Sequence, residues 1–92
     1  MILEIIDWKE YHPNGQLWIE GKIGIVADLW KHLYDTREQW KGYEGKYICR
    51  LGNWKKYYDN GQLAWQMFFN DNGYFEDKKT PSFRKDGTII IY

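Results

Sequence analysis

The sequence predicts a mainly β chain: a single-layer antiparallel sheet of successive β-hairpins, a repeat array of about four units, with one short helix held open as the alternative within residues 26–40. Three observations carry this. The phrase WKEYHPNGQLW, Trp8 to Trp18, returns as WKKYYDNGQLAW, Trp54 to Trp65. Each copy contains an Asn-Gly pair, a turn signal between two apolar runs. After the second pair, Leu63, Trp65, Met67 and Phe69 alternate with Gln62, Ala64 and Gln66, the period of a strand with one buried face.

The first unit, near residues 8–29, turns at Asn14-Gly15. A two-residue type I′ turn needs φ > 0 at both central residues, which Asn and Gly tolerate best. That register sets Lys9 against Glu20 and Tyr11 against Trp18. The second unit, near 30–53, opens on Trp30-Lys31 and aligns without gaps through Trp40, but holds Thr36-Arg37 where the others hold Asn-Gly. Val26, Leu29, Trp30, Leu33 and Tyr34 also fit helical spacing, so a helix capped by Asp28 stands beside the favoured hairpin. The third unit, near 54–79, turns at Asn60-Gly61 and sets Tyr58 against Leu63, Lys56 against Trp65 and Trp54 against Met67. The fourth, near 80–92, turns at Asp86-Gly87. Trp54, Trp65, Leu63, Met67 and Phe69, with Leu17 and Ile19, are the expected core of one domain spanning 1–92.

Composition bounds the partners. A chain of 92 residues and 11.2 kDa buries only about two thirds of its unfolded surface, and an aromatic content of 20% compensates because each ring buries a large area. Thirteen Lys+Arg against 13 Asp+Glu give no net field, which argues against nucleic acid and anionic membranes. Residues 1–6 are short and charged for a signal peptide, no apolar run approaches about 20 residues, and the lone Cys49 has no internal disulfide partner. The expectation is a cytoplasmic protein.

Catalytic resources are sparse. A nucleophile needs an oriented base, and the candidates are Ser82, Cys49, His12 and His32. His12 sits beside a turn where other copies hold Tyr34, Tyr58 and Arg84, so it reads as a repeat residue, and Cys49 reads as a small packed hydrophobe. Two His and one Cys lack metal-ligand spacing. Asn70-Asp71-Asn72-Gly73 resembles a calcium loop, but that frame puts Phe68 first and Lys79 last, where carboxylates are required, so it reads as a turn. Neither enzyme activity, cofactor nor metal is expected. The aromatics remain: Tyr11, Trp18, Tyr57 and Phe68 form the expected contact row, flanked by Lys9, Lys55 and Lys56. The apolar end, with Ile89, Ile91 and Tyr92, is the expected pairing edge of a homodimer or a partner strand, unless residues 1–6 or a loop cover it.

The residues Trp8, Lys9, Tyr11, Asn14, Gly15, Gln16 and Leu17, and again Trp54, Lys55, Tyr57, Asn60, Gly61, Gln62 and Leu63, carry a pattern that resembles the MORN repeat. The resemblance is closer to a bacterial variant found in proteins described as antitoxin components. It implies an elongated single-layer sheet of hairpins serving as an interaction scaffold, with lipid binding often proposed for eukaryotic members. The expected function is a non-catalytic protein-binding module, such as an antitoxin, immunity protein or inhibitor that occludes a partner. An aromatic-lined binder of planar ligands such as nucleotides, and a membrane-surface scaffold, are the alternatives.

Overall fold

Four hairpin turns among the described residues are closed the same way, as a computed structural model covering residues 2–36 and 45–90 shows. At the first turn the Gly15 amide donates to the His12 carbonyl at 2.9 Å and the His12 amide donates to the Gln16 carbonyl at 2.8 Å. The pattern repeats at Tyr58–Gln62, Asn70–Tyr74 and Arg84–Thr88. Only the glycine takes positive φ, at 88°, 87°, 82° and 90° for Gly15, Gly61, Gly73 and Gly87. These are three-residue loops, a type I turn followed by a left-handed glycine, and not the two-residue type I′ turns expected. The physical reason lies in the Asn side chain. Asn14 Oδ1 accepts the Gln16 amide at 3.0 Å, and Asn60 Oδ1 accepts the Gln62 amide at 3.0 Å, so Asn is used for a local side-chain bond and not for φ > 0. The run at Asn70–Gly73 is a turn, as read from the sequence.

The strands follow from these turns. β1 (Ile2–Tyr11), β2 (Leu17–Ala27), β3 (Lys46–Tyr57), β4 (Leu63–Phe69) and the short β5 (Phe75–Glu76) form one antiparallel sheet in chain order, and β6 (Ser82–Phe83) pairs with β7 (Ile89–Ile90). Lys9 faces Glu20, Lys56 faces Trp65 and Trp54 faces Met67, as the alternation dictates. Next to each of the first two turns the register slips by one residue, so Tyr11 faces Leu17 and Tyr57 faces Leu63, in place of the Tyr11–Trp18 and Tyr58–Leu63 pairs expected. The three-residue loop causes the slip.

The second unit departs from its repeat alignment. Asp28–Leu33 is a 3₁₀ helix, so the helical spacing of Leu29, Trp30 and Leu33 outweighs the Trp-Lys alignment there. Asp28 is not its N-cap: Ala27 holds that position without a side-chain bond, and Asp28 pairs instead with Lys31 at 3.2 Å. Arg37 and Trp40 lie outside the described residues.

The core also sits elsewhere than expected. Val26, Cys49 and Leu51 are buried beneath Ile2, Trp30 and Tyr34, because the 28–35 segment folds back across one face of β2 and β3. Ile23 and Ile25, which alternate with Val26, are buried on the other side. Of the residues expected in the core only Trp54 is buried; Leu63, Trp65, Met67, Phe69, Leu17 and Ile19 are half-buried. Leu17, Ile19, Leu63 and Trp65 lie toward the Asn14 and Asn60 turns, whereas Met67 faces Trp54 and Phe69 faces Gly52 farther along the strands. Trp54 has a specific seat: its ring lies over Gly21, where any Cβ would collide with it, and its Nε1 donates to the Lys22 carbonyl at 3.1 Å. The described chain extends 45 × 29 × 16 Å, an elongated and thin body.

Candidate functional site

The repeated phrase builds a stack of turns along one end of the sheet. His12 Nε2 donates to the Tyr57 carbonyl at 2.9 Å and Asn14 Nδ2 to the Asp59 carbonyl at 2.7 Å. One unit on, Tyr58 Oη donates to the Phe83 carbonyl at 2.7 Å and Asn60 Nδ2 to the Lys85 carbonyl at 2.8 Å. Equivalent positions thus make equivalent bonds. The Gln after each Asn-Gly completes the pattern: Gln16 Oε1 lies 3.6 Å from where a Cβ on Gly61 would stand, and Gln62 Oε1 lies 3.1 Å from that point on Gly87. Each Asn therefore does two things, its oxygen closing its own turn and its amide holding the next. Lys85 adds an ion pair to Asp59 at 2.6 Å, which holds the Asp59 carboxyl below the ordinary carboxylate range.

A shallow cavity of about 310 Å³ opens beside this stack, lined by His12, Trp18, Lys56, Tyr58, Trp65 and Lys85 among others. Lys56 Nζ stands 5.7 Å from the Trp18 ring and 5.5 Å from the Trp65 ring, a cation held between two indoles. The His12 ring packs on Trp18 with centroids 5.9 Å apart. Trp18 and Tyr57 share this cavity. Burial, followed by the nearby Glu20 carboxylate, pushes the Tyr57 phenol above its ordinary pKa. The other members of the expected row stand apart: Tyr11 is 59% exposed at the outer strand, and Phe68 lies opposite Asn53 and Glu76 with Lys78 Nζ 5.8 Å from its ring. Lys56 was expected to flank this row and instead forms its centre; its pairing with Trp65 was readable, but not its reach to Trp18.

Sequence reasoning missed a second surface. β1 is the outer strand of the sheet, 10 residues long, while the opposite outer strand, β5, has two. Residues 2–6 therefore pair with β2 in the main sheet and do not cover β7. Leu3 is 49% and Ile5 58% exposed on β1. Beside them lies a cavity of about 290 Å³ lined by Ile2, Ile5, Lys22, Leu51, Gly52 and Asp71. The signal was the pattern Ile-Leu-Glu-Ile-Ile at 2–6, apolar on both faces where an outer strand needs charge. Ile89 is 55% exposed on the two-residue β7, and Ile91 and Tyr92 lie outside the described residues.

Among the described residues no three His, Cys, Asp or Glu side chains gather as metal ligands. Cys49 is buried, and burial raises its thiol pKa. Among the described residues no helix is long and apolar enough to cross a membrane.

The family model described as MORN repeat variant matches residues 6–22 and 50–71, the two segments whose turns begin the stack. The match supports the MORN family. MORN repeats are generally modules of protein or membrane interaction, and the family is typically non-enzymatic. No curated protein and no solved structure matches the chain significantly.

Proposed function

We propose that this chain is a non-catalytic protein-binding module whose partner adds a strand to the lower half of β1, occluding the partner as an antitoxin, immunity protein or inhibitor does. The supporting observation is the outer strand itself. Leu3 and Ile5 are exposed, Glu4 is the single charge within residues 2–6, and an apolar cavity adjoins them. An outer strand guarded by one charge, Glu4, and a register irregularity at Leu3 still offers main-chain hydrogen bonds to a further strand from Glu4 to Ile6, and adjacent pockets select side chains. Asp7, Lys9 and Glu10 guard the upper half, which confines pairing to the lower. The cytoplasm is the compartment suggested by the single cysteine, and a homodimer through β7 and Ile89 is the secondary arrangement.

The test is capture from the native host with mass spectrometry, repeated with Leu3→Asp and Ile5→Asp. Each substitution is expected to lower recovery of the captured protein at least tenfold, about 1.4 kcal/mol. Undiminished recovery with a folded Ile5→Asp variant removes β1 as the contact.

The cavity around Lys56 favours a second reading, a binder of planar anionic ligands between Trp18 and Trp65. Quenching of Trp fluorescence by nucleotides, abolished in Lys56→Met, supports it; no quenching at millimolar nucleotide discards it.

A further inference from the structure

The turn stack has two ends, and they differ in chemistry. At the first end, the Tyr11 and Pro13 carbonyls stand at the positions of Tyr57 and Asp59, which accept from His12 and Asn14. No described residue lies within 4 Å of where a Cβ on Gly15 would stand, whereas its counterparts Gly61 and Gly87 have a Gln side chain there. At the other end, Arg84 holds the place of His12 and Tyr58, Thr88 that of Gln16 and Gln62, and Asp86 that of Asn14 and Asn60. Arg84 carries donors, and Thr88 is smaller than Gln and fits over a glycine. Asp86 is the exception. Its Oδ1 accepts the Thr88 amide at 3.0 Å and the Thr88 hydroxyl at 2.7 Å, closing its own turn as Asn14 and Asn60 do. It has no amide to donate onward.

We propose that the first turn is an acceptor site for the turn of a second copy of this chain, and that Asp86 is the residue that keeps it from being filled. A carboxylate brought against the Pro13 carbonyl sets acceptor against acceptor, desolvating both without a bond. The contact would join unlike surfaces, the last turn of one copy on the first turn of the next, and such contacts propagate into rings or filaments. Specificity here works by repulsion, with one atom-for-atom exchange, oxygen for NH2, separating a closed stack from an open one. This goes beyond the binding reading above, because it involves the turn end of the molecule and not the lower half of β1.

Asp86→Asn tests it by sedimentation velocity over a hundredfold concentration range. Wild type is expected to form no species larger than a dimer at any concentration in this range. The variant is expected to associate at least tenfold more tightly, and Asp86→Asn with Gly15→Asn to return to wild-type behaviour, since Asn tolerates left-handed φ while its side chain fills the acceptor site. A folded Asp86→Asn variant that sediments like wild type overturns the proposal, as does a wild type that associates equally. Asn60→Asp tests the same rule within one chain. It is expected to speed hydrogen exchange across residues 82–90 and leave β1 and β2 unchanged; unchanged protection of 82–90 overturns the role given to the amide.

Discussion

Gly61 holds φ at 87° with a Gln16 oxygen above it, so two constraints meet at one residue. Gly61→Val is expected to destabilise by more than about 1 kcal/mol, because a β-branched side chain is strained in the left-handed region. Gly21 is constrained differently, by the Trp54 ring where its side chain would be. Gly21→Ala is expected to cost about 1–3 kcal/mol through overpacking, read from urea midpoints. An unchanged midpoint in either variant contradicts the contact it tests. Charge acts at this scale as well. The Asp59 carboxyl is lowered by its bond to Lys85, and that of Asp86 by its bonds to Thr88. A depressed folded pKa contributes stability above the unfolded value, about 3.9, and loses it as pH falls through the folded value. Melting temperature is therefore expected to fall as pH drops below about 4, and less steeply in Asp59→Asn. A parallel acid profile in that variant contradicts the Lys85 pairing.

Hairpins were the most legible elements, since the Asn-Gly spacing and the alternation after Gly61 fixed where strands begin and which residues face each other at Lys56–Trp65 and Trp54–Met67. Turn type was not legible. An Asn-Gly pair serves both the two- and the three-residue loop, and the choice rests on bonds between Asn14 or Asn60 and a residue two places on. The core was misplaced because alternation tells which residues share a face, not which face another segment covers. That cover is the 28–35 segment, whose short apolar run suits helix and strand alike. The turn stack was present in the sequence as a repeat, yet its meaning needed the unit-to-unit hydrogen bonds. The revised core gives an ordering at this scale. Trp54→Ala is expected to cost about 3–5 kcal/mol, and Trp65→Ala less, because Trp65 remains half-buried beside Lys56. Equal losses in chemical denaturation contradict this order.

At the scale of the whole molecule, stacked turns and the outer strand β1 occupy different ends of one thin body. The stack organises hairpins that have little core of their own, as nearest-neighbour contacts do in repeat arrays. The lower half of β1 is left with exposed Leu3 and Ile5 and an edge that no described strand pairs, the surface proposed for another protein. Hydrogen–deuterium exchange on the chain alone and with its captured partner tests this most directly. Amides within residues 2–6 are expected to gain protection in the complex, while those around Trp18, Lys56 and Trp65 keep their rates. Protection confined to the Trp18, Lys56 and Trp65 surface, with residues 2–6 unchanged, contradicts binding through β1.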